Sequence, residues 1–280
     1  MTNLYDALSK VVFTAFPFLT PLLMLVAGCL GALLYGKIKE SAKAVLLRAL
    51  GLLAILAGGI ELWNGFFVMQ TAQFETKGTV LVIFSLLIGY TFGYAFSLER
   101  SIGALGEGMF RRFWKPGKPR KSDVIAMAKG QAVRERKICP PSAEGFLVAT
   151  TLCALGSTTI FSMLDLQMSE DPIPFLLCMG FHALVFFLLS ALYGSSVSLA
   201  VLPVMAVEAL LFLLGTLGGD IINHNLSNQC RLIGAVLLLA AGAALGCGKR
   251  TRAARLIPAY LLPLGYAIIV AIATKLYGGA

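Results

Sequence analysis

The sequence predicts an all-α protein: a polytopic transmembrane helical bundle of about eight spans, with a basic cytoplasmic loop between two halves. Three observations lead there. Of 280 residues, 58% are hydrophobic and only 13% charged, whereas a soluble domain carries about 25% charged residues. Eight stretches, 12–36, 49–69, 79–97, 145–165, 173–193, 196–216, 231–248 and 256–275, are largely apolar, and each is near the roughly 20 residues a helix needs to cross the hydrocarbon core. Lys and Arg gather in alternate connections between these runs.

Taken in order, the first run follows Met1–Ser9, which carries Asp6 and no Lys or Arg. A cleaved signal would need a basic start and a shorter apolar stretch, so this run is expected to remain as the first span. The runs lack strict alternation and are about twice the length of a barrel strand, which excludes a sheet barrel. Residues 1–97 form an N-terminal membrane half with three spans. In the connection 98–144, Leu98, Ile102, Leu105, Met109 and Phe113 recur at helical spacing among Arg100, Glu107, Arg111 and Arg112. That pattern reads as an amphipathic helix in the membrane interface. Lys115-Pro116-Gly117-Lys118-Pro119-Arg120-Lys121 then reads as a solvated, breaker-rich linker. Residues 145–280 form the C-terminal half with five spans, the second and third joined only by Gly194 and Ser195. Gly31 to Gly36 before Lys37 resembles Gly242 to Gly248 before Lys249, a short hint of duplication too weak to carry an inverted repeat.

With the N-terminus outside, nineteen of the 23 Lys and Arg residues fall in the cytoplasmic segments. Lys10, Lys77, Arg231 and Lys275 remain outside. The net charge of +9 is thus a positive-inside signature, also attractive to anionic lipid, rather than a nucleic-acid footprint. Cys29, Cys139, Cys153, Cys178, Cys230 and Cys247 show no metal spacing and mostly occupy apolar runs, where Cys behaves as a small hydrophobe. Neither a disulfide nor a metal site is expected, and no cofactor.

Several stretches resemble the bacterial domain-of-unknown-function family 554, the YqgA-like membrane proteins. They are Gly28-Cys29-Leu30-Gly31-Ala32-Leu33-Leu34, then Leu152-Cys153-Ala154-Leu155-Gly156-Ser157-Thr158-Thr159-Ile160-Phe161 followed by Glu170-Asp171-Pro172. Leu202-Pro203-Val204 and the run from Gly248-Lys249-Arg250 to Leu256-Ile257-Pro258-Ala259 complete the set. Together they span most of the chain in order. The resemblance implies a multi-pass bacterial inner-membrane protein with no settled biochemical activity. It also implies an Asp in the fifth span and a Gln in the sixth; this chain has His182 and Glu208 there, so a shared ligand or coupling ion does not carry over.

Polar groups inside spans are costly and usually face a bundle interior or a water cavity. Glu61 and Glu208 are the carboxylates well inside the apolar runs, and His182 is the histidine inside one. Asn64, Ser157, Thr158, Thr159 and Thr20 complete the ligand- or proton-binding candidates. Each has a plainer reading: Glu61 as an interfacial residue beside Trp63, Glu208 as a structural carboxyl, His182 as an interhelical hydrogen bond, the hydroxyls as bonds to their own helix. A rise of 1.5 Å per residue places Glu61, Ser157, Glu208, His182 and Thr20 roughly 12–14 Å below the outer boundary. They are therefore expected to converge on one central cavity, with Glu208 and His182 as its ionisable pair. Pro17, Pro21 and Pro203 are candidate breaks that free backbone carbonyls. His224 beside Asp220, Asn223 and Asn225 reads as a solvated outer loop.

No phosphate-cradling glycine loop, HExxH or GxSxG is present, so an enzyme is not expected. The pattern points to a secondary transporter or permease for a small solute or ion. The alternative is a non-transporting membrane assembly or interaction protein that docks through 98–144. The partners open to such a protein are the lipid bilayer, a small solute or ion, and a second copy of the chain; nucleic acid is not among them. The charge split predicts a bacterial inner-membrane location with both termini outside. A Lys118→Cys reporter in intact cells should therefore resist an impermeant maleimide added outside, and ready labelling would reverse the orientation.

Overall fold

The computed structural model describes residues 19–71, 76–113, 143–154, 156, 158–160, 173–217, 224–249 and 252–277, all in helices or short connections, with no strand among them. The helices are α1 (Leu19–Leu34), α2 (Glu40–Thr71), α3 (Thr76–Ala95), α4 (Leu98–Phe113), α5 (Ala143–Ala154), α6 (Ile173–Tyr193), α7 (Val201–Leu217), α8 (His224–Gly246) and α9 (Leu261–Tyr277). Tight 3-10 segments, Ser195–Ala200 and Ala253–Tyr260, lead into α7 and α9.

The centre of the bundle is α8. Its Leu232, Ile233, Leu237, Leu238, Ala241 and Leu245 are all buried. It lies antiparallel to α2 along glycines spaced every seven residues. A Cβ added at Gly51 would stand 2.5 Å from the Gly246 nitrogen, one at Gly58 2.9 Å from the Ala235 carbonyl oxygen, and one at Gly65 2.7 Å from a Leu232 methyl. Seven residues are nearly two helical turns, so the three glycines form one seam. Small residues let two backbones approach where lipid supplies no hydrophobic drive between helices. The same device repeats where Gly89 and Gly93 of α3 meet the backbone of Ala259 and Arg255, and where Gly31 of α1 meets the Phe187 backbone of α6.

The helix ends follow from backbone conformation. At the end of α8, Gly248 is left-handed with φ 64°. Its N–H donates to the Leu245 carbonyl at 3.0 Å, and the Lys249 N–H donates to that of Ala244 at 2.8 Å. This paired closure satisfies two orphan carbonyls and needs the φ that glycine adopts without strain. Gly36 after α1 is also left-handed, at φ 80°, but there the Lys37 N–H donates to the Leu34 carbonyl, so the two similar sequence stretches share the glycine conformation and not the paired closure. Pro203 causes no break. It lies in the first turn of α7, where its missing N–H would be spare; the helical irregularity comes before it, in Ser195–Ala200.

The basic segments meet at one end of the bundle. Gly51 lies beside Gly246, and Arg255 pairs with Glu99 at 3.0 Å while standing 5.2 Å over the Tyr94 ring. The amphipathic helix appears as α4, but its apolar face is divided. Ile102 and Met109 pack into the main core, and Gly106 lies against Phe146, while Leu105 points away. The remainder of 98–144, from 114 to 142, lies outside the described residues.

Among the described residues, five helices are long and apolar enough to cross a membrane, or six if α3 and α4, bent by 57°, count as one broken span. The sequence leads to about eight. Two of the expected spans correspond to the shorter apolar helices Leu19–Leu34 and Glu144–Ala154. In the second, the helix stops at Ala154 although the apolar run continues. Beyond it, Gly156 packs so tightly on the Leu152 carbonyl that a Cβ would collide. The seventh run differs in the other direction: its helix begins at His224, whose expected outer loop is therefore a helix start.

The glycine seam makes a prediction with an internal control. Gly51→Ala should lower the thermal stability of the purified protein by about 1–3 kcal/mol, the usual penalty of overpacking. Gly59→Ala, on the same helix with nothing within 4 Å of the new Cβ, should be neutral or slightly stabilising. Equal unfolding temperatures for the two variants would refute the seam.

Candidate functional site

On α6, Phe175, Cys178, His182, Val185 and Leu189 recur at helical spacing and are buried. On α7, Val201, Val204 and Glu208 do the same. Both stripes must face the core, and each carries one ionisable group inward. The structure brings these groups together: His182 Nδ1 lies 4.0 Å from Glu208 Oε1. His182 is 0% and Glu208 1% exposed.

The third element is the stretch just past the end of α5. Thr159 donates its hydroxyl hydrogen to the Cys153 carbonyl oxygen and lies 3.0 Å from His182 Nε2. A threonine hydroxyl has one hydrogen. With that hydrogen committed to Cys153, Thr159 can only accept from the ring, so Nε2 carries a proton. Nδ1 faces Glu208 Oε1 at 4.0 Å, beyond hydrogen-bond reach but close enough for a charge on either group to act on the other.

The second carboxyl oxygen, Glu208 Oε2, is buried and has no hydrogen-bond partner among the described residues. Such an acceptor typically costs about 1–3 kcal/mol. Cys178, one turn before His182, approaches the ring at 3.6 Å from Nε2. No group of His, Cys, Asp and Glu suited to a metal occurs among the described residues.

The other candidates are distributed differently. Glu61 does not turn to the pair. Its Oε2 accepts from Arg231 Nε at 2.5 Å, with both side chains largely buried. Arg231 lies within α8, 5% exposed, where a buried cation needs this partner. Asn64 lies half-buried one turn beyond Glu61. Thr20 is buried on α1, and its hydroxyl and that of Thr158 have no hydrogen-bond partner among the described residues. Ser157 lies outside the described residues. A single layer drawn from five spans is thus replaced by a His182–Glu208–Thr159 cluster and a separate Glu61–Arg231 pair. A space of about 830 Å³ at the basic end is lined by Glu99, Arg100, Glu107, Glu144, Arg252 and Arg255 among others, with neither member of the pair.

Sequence reasoning missed Cys178 and Arg231. Cys178 had a signal, the four-residue spacing to His182. Arg231 had a weaker one: it is a lone cation at the margin of an apolar run, matched by a lone carboxylate in another.

The family described as "Protein of unknown function (DUF554)" matches residues 18–268. YdfK of Bacillus subtilis (strain 168), named as an uncharacterized membrane protein, is 23% identical over 244 residues, or 86% of this chain and 90% of that protein. No solved structure matches.

The Glu61–Arg231 pair can be tested alone. Arg231→Leu strands a buried carboxylate and should cost about 3–5 kcal/mol in thermal unfolding, whereas Glu61→Leu with Arg231→Leu should recover most of it. A double variant no more stable than the single one would show that the pair is not the structural unit.

Proposed function

Since the chain belongs to the DUF554 family of membrane proteins, whose description assigns no activity, we propose a function from the site itself: a secondary transporter or permease for a small solute or ion, with His182 and Glu208 holding the coupled proton. The observation that carries this reading is the Glu208 carboxyl, 1% exposed, with one oxygen facing His182 and the other unpartnered among the described residues. An ionisable residue within a membrane is expensive and marks a substrate or proton path more often than a scaffold. A helix that stops beside the pair, at Ala154, is the kind of interruption from which transporters build mid-membrane sites. The protein sits, on this reading, in the bacterial cytoplasmic membrane with the basic end inside and both termini outside. Docking of a partner through 98–144 finds less support, because Ile102 and Met109 of α4 are already used in the core.

A thermal-shift screen against metabolites and ions identifies a ligand that binds the folded state. Uptake of that solute into proteoliposomes should depend on pH in the wild type. Glu208→Gln should remove the pH dependence while keeping the wild-type unfolding temperature. Unchanged pH dependence in the variant rules out the proton role, and absence of uptake for every stabilising solute rules out transport.

A further inference from the structure

Away from the buried pair, a groove of about 710 Å³ is lined by α3, α8 and the 3-10 segment that follows α8. Its floor is made of small side chains, Ala240, Ala243 and Ala244 of α8, with Tyr90 of α3 and Leu256 as walls. Lys249 and Arg252 also line it, and no acidic residue does. Both cations are exposed. Their position is set by the backbone. The paired closure at Gly248 ties the Lys249 N–H to the Ala244 carbonyl, so the lysine side chain leaves the helix beside the alanine floor. Arg252 opens the 3-10 segment one turn later. The neighbouring 830 Å³ space, which shares Arg252, sets three glutamates against three arginines and so offers an anion no net positive charge.

We propose that this groove is a binding site for an anionic phospholipid, with one acyl chain along the alanine floor and the headgroup phosphate between Lys249 and Arg252. A bilayer is full of acyl chains, so the chain gains no hydrophobic energy by entering. Selectivity comes from the headgroup, where an ammonium point charge and a guanidinium fork hold a phosphate together. The groove's shape decides where the lipid stays. Its cationic end is the basic end of the bundle, the side on which anionic lipid attracts positive segments.

The test is native mass spectrometry of the detergent-purified protein with phosphatidylglycerol, phosphatidylethanolamine of the same chains, and glycerol 3-phosphate. The expected result is a one-to-one adduct favouring phosphatidylglycerol, with no comparable retention of glycerol 3-phosphate. Lys249→Ala with Arg252→Ala should weaken it about thirtyfold, the effect of two membrane-surface charges. Ala243→Leu, which fills the floor without altering charge, should weaken it too. Lys37→Ala with Lys39→Ala removes equal charge from the same end and should leave it unchanged. Equal loss in both double variants would mean diffuse charge attraction. Equal retention of the two lipids, unaltered binding in Ala243→Leu, or glycerol 3-phosphate held as tightly as the lipid would each overturn the site.

Discussion

Lipid tails are as apolar as leucine, so helices in a bilayer gain little by hiding their side chains from one another. What lets this bundle close is glycine contact, and its main instance is the seam where Gly51 and Gly58 of α2 meet the α8 backbone and Gly65 meets the Leu232 side chain. Most of the other structure depends on it. With α8 held in the centre, its carboxyl end places Gly248 and Lys249 at the basic face, and its amino-terminal half brings Arg231 to Glu61. The same close approach of Gly89 and Gly93 holds the segment Ala253–Tyr260 against α3, and so places Arg255 against Glu99. Polar contacts here are consequences of where glycines allow helices to touch.

The His182–Glu208 pair belongs to a different part of the molecule, where α5, α6 and α7 meet and regular helix gives way. A continuous helix would spend the Cys153 carbonyl on its own ladder. Because α5 ends at Ala154, that carbonyl takes the Thr159 hydroxyl instead, and this bond in turn fixes which imidazole nitrogen carries hydrogen. One backbone interruption thus determines the chemistry available at a side chain on another helix. The four-residue spacing from Cys178 to His182 adds a polarisable wall to the ring.

Much of the fold was legible because length and apolarity are properties of local sequence. The juxtaposition of His182 and Glu208 was legible for a similar reason: few residues separate α6 and α7, so the two stripes have little freedom to part. The connection is nonetheless longer than Gly194 and Ser195, since Ser195–Ala200 forms a 3-10 segment before α7 begins. The end of α5 was not legible, because the apolar run passes through Ala154 without a change in composition. Neither was the fate of Glu61. Depth along a helix can be counted from sequence, but the direction a side chain faces depends on a partner. Arg231, read as an outer charge, is that partner.

The Glu61–Arg231 pair also orders events during synthesis. Its members are 170 positions apart, on opposite sides of the connection 98–144, and Glu99, at the start of that connection, pairs with Arg255 beyond it. At about 5–20 residues per second, Arg231 leaves the ribosome roughly 10–30 s after Glu61. Through that interval α2 carries a carboxylate meant for a cation that has not yet been made. Until α8 is made, the N-terminal half carries Glu61 without the partner it has in the finished bundle.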